Sequence, residues 1–261
     1  MNSFIRPLKS LGQHFLNSPE TAARIAHSLS SDSTYNQVLE IGPGTGVLTE
    51  YLMQNTSKKL FCIEVDDRSI PVLINKFPEL EDRIINDDFL KASLHDLGNE
   101  PFAIIGNFPY NISSQILFRV LEFYERVPEL VGMFQKEVAQ RIASGPGSKD
   151  YGILSVLLQA HYDIEYLFTV PPEVFIPPPK VQSGVIRMKL RENHLLKCDP
   201  VLFKKIIKTG FNQRRKTLRN SIKSLLPIER DHIPYLDKRP EQLHFTQFVE
   251  LTLLLSGKIS N

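Results

Sequence analysis

The sequence predicts an α/β fold: a mostly parallel seven-stranded sheet with helices on both faces, followed by a small all-helical C-terminal domain. Three observations carry this. Short apolar runs rich in Val, Ile, Leu and Phe alternate with helix-like segments as far as residue 190. A glycine-rich turn, Gly42-Pro43-Gly44-Thr45-Gly46, follows one such run and precedes a helix-like segment. After Glu192 only helix-like segments remain, interrupted at Pro227, Pro234 and Pro240.

In chain order, Ser18-Pro19-Glu20 reads as an N-cap with proline in the first turn, opening a helix through Thr21–Leu29. QVLEI at 37–41 is a strand, and Val47–Gln54 opens a helix after the glycine turn. KLFCIE at 59–64 is the second strand, and Asp67–Lys76 is a helix despite Pro71. Arg83–Asn86 and Phe102–Gly106 are the third and fourth strands. Ser113–Tyr124 has helical apolar spacing at Ile116, Leu117, Val120, Leu121 and Tyr124. Leu130–Gln135 is the fifth strand, followed by a helix to about Ser144, a flexible SGPGSKD loop and a helix at Tyr151–Ala160. Ile164–Val170 and Ser183–Leu190 are the last two strands, around a proline-rich loop. The expected domains are 1–192 and 193–261, with a linker at Glu192–Pro200.

Length and composition fit that plan. The 261 residues, 42% of them apolar, suffice for one large domain and an appendage. No apolar run is long enough for a membrane span, and the N-terminal MNSFIRPLKSLGQHFL lacks the apolar core of a signal peptide. Cys62 and Cys198 stand far apart outside any Cys/His cluster, so a metal is not expected and a reduced, cytoplasmic setting is. The net charge of +2 conceals an asymmetry. Residues 193–261 hold 13 Lys and Arg against 6 Asp and Glu, a net of +7, which leaves −5 on the first 192. A basic appendage on an acidic body points to a polyanionic partner.

The glycine turn lies where a doubly wound sheet binds a nucleotide-like ligand, and its spacing is neither that of a dinucleotide fingerprint nor that of a P-loop. Glu64 ends the next strand, 20 residues after Gly44, and suits a carboxylate accepting from ribose hydroxyls. Asp88 or its neighbour Asp87 is placed to accept from an adenine amine, and spacing does not separate them. Asn107-Phe108-Pro109-Tyr110 follows the fourth strand. The N6 lone pair of adenine is delocalised into the ring, and acceptors aimed at the N6 hydrogens favour localising it and stabilise developing positive charge. The Asn107 side-chain carbonyl and the Phe108 main-chain carbonyl are such acceptors. Pro109 keeps residue 108 extended, and Tyr110 offers a ring for base stacking. With a sulfonium methyl in line, positioning does most of the catalysis, and neither metal nor strong base is needed.

The chain resembles the ribosomal RNA adenine dimethyltransferases over nearly its whole length. The resemblance rests on LGQHFL at 11–16, EIGPGTGVLT at 40–49, IEVD at 63–66, DDFLK at 87–91, GNFPYNIS at 106–113, FQKEVAQRI at 134–142, YGILSVLLQ at 151–159, VPPEVFIPPPKVQSGVI at 170–186 and FNQRRKTLRNSIK at 211–223. It implies a Rossmann-like class I methyltransferase fold that uses S-adenosyl-L-methionine. It places His14, Leu16, Gly42, Gly44, Glu64, Asp88 and Asn107 at the cofactor, and selects Asp88 over Asp87 for the adenine contact. Asn107 to Tyr110 take the catalytic roles, with Phe108 where many members have Leu, and Phe175 stacks on the other face of a flipped adenine. The implied reaction adds four methyls at N6 of two adjacent adenosines in a hairpin near the 3′ end of small-subunit (16S) rRNA, giving N6,N6-dimethyladenosine during subunit biogenesis. A monomer is expected. Lys204, Lys205, Lys208, Arg214, Arg215, Lys216, Arg219 and Lys223 are the expected phosphate contacts. The rival readings are a large-subunit adenine methyltransferase, an RNA-binding assembly factor with incidental catalysis, and a DNA adenine methyltransferase.

Overall fold

The computed structural model describes residues 5–257 apart from 32–33, 56, 194 and 229–231. The strands are β1 (Phe15–Leu16), β2 (Gln37–Ile41), β3 (Lys59–Glu64), β4 (Ile84–Asn86), β5 (Phe102–Asn107), β6 (Glu129–Gln135), β7 (Tyr162–Val170), β8 (Phe175–Ile176) and β9 (Ser183–Leu190). The α-helices are α1 (Pro19–Ala26), α2 (Thr49–Leu52), α3 (Ser69–Lys76), α4 (Ser113–Val120), α5 (Lys136–Ala143), α6 (Ile153–Gln159), α7 (Pro200–Asn212), α8 (Leu218–Ser221) and α9 (Phe245–Leu255). The seven strands expected from the sequence form one sheet in the order β4-β3-β2-β5-β6-β9-β7. β4, β3, β2, β5 and β6 run parallel, and β9 is antiparallel to β6. Of the parallel strands, β2, β3, β5 and β6 are buried almost throughout, with Leu39, Cys62, Phe102, Ile104 and Leu130 fully enclosed, and the edge strand β4 is half-exposed. This is why those four read as continuous apolar runs and not as alternation.

Local chemistry sets the element ends. Ser18 caps α1, its side chain accepting from the Thr21 amide, with Pro19 in the first turn. Pro71 is tolerated because it falls in the first turn of α3, where its missing N–H has no intrahelical partner. Asp199 caps α7 by accepting from the Val201 and Leu202 amides. The helix expected at Val47–Gln54 contracts to α2, Thr49–Leu52. A two-stranded antiparallel pair that the sequence pattern does not announce joins β1 to β8, with Leu16 opposite Phe175.

The chain divides into two compact units. One comprises 1–139 with 164–190, the other 140–163 with 191–261. The linker expected at Glu192–Pro200 begins just after this boundary, and its His194 lies outside the described residues. Residues 140–163 group with the C-terminal unit for a packing reason. In that unit α6 lies against α7 and α9. Tyr151 meets Phe211 edge-on at 6.3 Å, and Phe211 meets Phe248 at 6.2 Å. The Gly147 amide donates to the Glu241 carbonyl at 2.7 Å. No described helix is long and apolar enough to cross a membrane.

Candidate active site

In the first unit β2 has β3 on one side and β5 on the other, so the strand order reverses beside it. Ligands of open α/β sheets bind at such a point, beyond the carboxyl ends of the strands. A cleft opens there. It is walled by Gly12 to Phe15, the Gly42–Gly44 turn, Glu64 and Val65, Asp87 to Phe89, and Asn107 to Tyr110.

The turn adopts positive φ at Gly42 (67°) and Gly44 (55°), a conformation that glycine adopts without penalty. Nothing lies within 4 Å of where a Gly42 Cβ would project, so the bare backbone borders open cleft space. At Gly44 a Cβ would meet the Phe15 ring at 2.9 Å. Glu64, 4% exposed, accepts from the Gly44 amide at 2.9 Å through one oxygen and from the Asp66 amide at 2.9 Å through the other. Burial raises its pKa, opposed by those two amides. Beneath it Glu40, 1% exposed, accepts from the Thr49 hydroxyl at 2.7 Å. Burial, aided by the charge of Glu64, pushes Glu40 up to about 8, and of the two carboxyl groups it is Glu64 that lines the cleft.

The N-terminal segment closes one side. Gln13 donates to Asp66 at 2.8 Å, and Asp66 pairs with Arg68 at 2.6 Å, which holds the Asp66 carboxyl down at about 2. Sequence reasoning misses Gln13, Asp66 and Arg68 as a group. They are joined only when the segment before β1 passes the end of β3, a contact that no local pattern announces.

At the end of β5 the Asn107 side-chain amide donates to the His14 carbonyl at 2.9 Å, leaving Oδ1 as the acceptor on the cleft wall. The Phe108 ring is turned into the core, 1% exposed, edge-on to Phe134 at 5.1 Å. It occupies the space left by Gly132, where an added Cβ would collide with the ring. Only the main chain of residue 108 is therefore available to a ligand, as the acceptor argument requires. The Tyr110 ring stacks on His14 at 5.6 Å and 26°, and its hydroxyl hydrogen-bonds Ser183 at 2.6 Å. Burial raises the Tyr110 pKa, so the residue works as a neutral ring and not as a base.

The structure brings together His14, Gly42, Gly44, Glu64, Asp88, Asn107, Phe108, Pro109 and Tyr110. Asp87 also lines the cleft; Asp88 is half-buried and accepts from the Leu90 amide at 3.0 Å, whereas Asp87 is exposed. The Leu16 side chain, 6% exposed, packs in the core and does not line the cleft. Phe175, 2% exposed, also packs in the core, opposite Leu16 in the β1–β8 pair. In the C-terminal unit, Lys204, Lys205, Lys208, Arg215, Lys216 and Lys223 are exposed. Arg214 and Arg219 are half-buried: Arg214 donates to the Ser148 carbonyl at 3.0 Å, and Arg219 pairs with Asp237 at 3.0 Å.

A bare-backbone turn beside a buried carboxyl group, with the Asn107 amide and the Tyr110 ring at the end of the neighbouring strand, sits at the carboxyl edge of a sheet with the class I S-adenosylmethionine-dependent methyltransferase architecture. Comparison supplies the family. Residues 6–241 match the family described as "Ribosomal RNA adenine dimethylase". The chain is 56% identical over 256 residues to "Ribosomal RNA small subunit methyltransferase A" of Cytophaga hutchinsonii, covering 97% of this chain and 99% of that one. It is 54% identical to the protein of the same name in Flavobacterium johnsoniae, covering 95% of each. Among solved structures it is similar to a dimethyladenosine transferase from Plasmodium falciparum (TM-score 0.80, 24% identity, 94% of this chain and 98% of that one), a likeness of fold. It is also similar to the 23S rRNA methyltransferase ErmE (TM-score 0.67, 27% identity, 91% and 99%). The chain belongs to the ribosomal RNA adenine dimethylase family and is an S-adenosylmethionine-dependent rRNA adenine methyltransferase.

Proposed function

We propose that this enzyme converts two adjacent adenosines near the 3′ end of small-subunit (16S) rRNA to N6,N6-dimethyladenosine, acting as a monomer, without a metal, on a partly assembled small subunit in the cytoplasm. The relatives' shared name supports the small-subunit assignment. The observation that carries the chemistry is the Asn107 amide, whose Nδ2 is committed to the His14 carbonyl, so that Oδ1 is the group left to accept.

The cleft lining fits S-adenosyl-L-methionine: carboxylates stand on its wall at Glu64 and Asp88, and the Gly42 face is a cradle that any side chain would fill. When bound, the cofactor supplies an electrophilic sulfonium methyl. Glu64 receives the ribose hydroxyls, Asp88 the adenine amine, and Gly42 and Gly44 let the main chain approach the rest. Asn107 Oδ1 and the Phe108 carbonyl accept the N6 hydrogens of the target, localising its lone pair, and Tyr110 stacks on the base. Pro109 holds residue 108 extended. Lys204, Lys205, Lys208, Arg215, Lys216 and Lys223 take the RNA phosphates.

The test is methyl transfer from labelled cofactor to small subunits lacking the two dimethyladenosines, followed by digestion to nucleosides. N6,N6-dimethyladenosine at two adjacent 3′-end positions is expected, and its loss in Asn107→Ala. Labelling confined to large-subunit RNA or DNA would overturn the substrate assignment.

A further inference from the structure

Ser183 has no place in the chemistry above, yet it touches the part of the site with the most demanding geometry. It is fully buried, and its hydroxyl lies 2.6 Å from that of Tyr110. Its position follows from topology. The parallel strands end at the cleft, so only a reversed strand can begin there. β9 is that strand, and Ser183, its first residue, pairs with Gln135 at the end of β6. The preceding residue is fixed as well: the Gln182 carbonyl accepts from the Lys136 amide at 2.9 Å, and its side chain accepts from Lys136 Nζ at 2.8 Å.

Tyr110 is also held at its main chain, where its carbonyl accepts from the Ser113 hydroxyl at 3.1 Å. That bond leaves both side-chain torsions free. Among the described residues, the hydroxyl bond to Ser183 is the polar contact that holds the ring itself. It acts at the end farthest from the backbone, where a small torsion change displaces the most. The His14 ring covers one face at 5.6 Å, and the position of that face is set by where the hydroxyl is pinned.

We infer that Ser183 is a positioning residue for methyl transfer: it fixes the plane of the Tyr110 ring so that the stacked adenine presents N6 to Asn107 Oδ1 and the Phe108 carbonyl. The inference rests on the adenine-N6 reading of the site. Ser183 itself contacts neither base nor cofactor and acts only through the Tyr110 hydroxyl.

The experiment is a double-mutant cycle on the full-length enzyme with Ser183→Ala, Tyr110→Phe and the pair, on whichever rRNA substrate the wild-type enzyme methylates. Wild-type turnover on that substrate tests the adenine-N6 reading separately from the cycle. A hydrogen bond of ordinary strength corresponds to roughly three- to tenfold in rate. Each single variant is expected to lose roughly that in kcat, with the Kd for S-adenosylmethionine unchanged, and the double variant to be no worse than either single one. Losses that multiply in the double variant, or wild-type kcat in Tyr110→Phe, would overturn the inference. Should Ser183→Ala fail to fold, Tyr110→Phe decides alone, because it removes the hydroxyl from a partly buried ring and leaves β9 untouched.

Discussion

Glu40→Gln isolates the buried carboxyl beneath the cofactor cleft. Glu40 has an ordinary value of 4.5 and stands at about 8 in the folded protein, chiefly through burial. Between pH 4.5 and about 8 the folded state therefore holds a proton that the unfolded chain has released, and stability falls as pH rises through that window. Above it the penalty is complete; below it there is none. At about 1.4 kcal/mol per pH unit the window sets an upper bound of roughly 5 kcal/mol, an order-of-magnitude figure for a buried group. Glutamine keeps the side-chain shape and an oxygen for the Thr49 hydroxyl, and it carries no proton to lose. Urea unfolding of both proteins in steps from pH 5 to pH 9, without cofactor, reads the difference directly. Glu64, also raised, gives a slope of the same sign in both proteins. The wild-type protein should lose stability relative to Glu40→Gln by several kcal/mol on going from the acidic to the basic end. Parallel curves would mean that Glu40 ionises freely in the fold, and the account of burial raising its pKa would fail.

Four further outcomes are expected. Glu64→Gln should weaken S-adenosylmethionine binding in calorimetry by about 10- to 100-fold, the scale of a charge-assisted hydrogen bond, and should also lower ligand-free stability by about 1–3 kcal/mol, because one of the two amides that Glu64 accepts from is left facing an NH2 group. Phe175→Ala should cost about 3–5 kcal/mol in urea unfolding, as a fully packed core aromatic does; near-wild-type stability with lost methylation would return Phe175 to the base pocket. Neutralising Lys204, Lys205, Lys208, Arg215 and Lys216 should weaken RNA binding and lower the salt-dependence slope by about 0.7–0.9 for each phosphate no longer neutralised, with cofactor affinity unchanged. Arg214→Gln should instead reduce stability, since Arg214 ties the segment after α7 to the Ser148 carbonyl; an unaltered slope in the five-fold variant would remove the phosphate assignment.

What is legible in the sequence is what is local. The central strands β2, β3, β5 and β6 are readable because strands buried on both faces are nearly unbroken apolar runs, and the carboxyl-edge residues Gly42, Glu64 and Asn107 each follow or end such a run. Ser18 and Pro71 can be read because caps and first turns have residue rules. What escapes is what strand pairing creates. Phe175 and Leu16 belong to segments of chemical interest, but the β1–β8 pair, two residues a strand, turns both side chains into the core, and no periodicity exists in two residues. Arg214 and Arg219 count as charge in the sequence, where nothing shows that a carbonyl and Asp237 already hold them.

The same distinction explains how the site is built. Parallel strands deliver Gly42, Glu64 and Asn107 to one edge in the order needed to cradle a nucleoside, because each ends or directly follows its own strand. They cannot deliver the partner that restrains Tyr110 from the far side, since every parallel strand ends at that edge and none begins there. One reversed strand resolves this: β9 starts where β6 ends, at Ser183 opposite Gln135, and brings the exposed segment 176–178, whose Pro177 carbonyl hydrogen-bonds His14 Nδ1 at 2.7 Å, to the same place. The Gly42–Glu64 side of the cleft is thus a product of local motifs on parallel strands, and the Tyr110 side is a product of sheet topology.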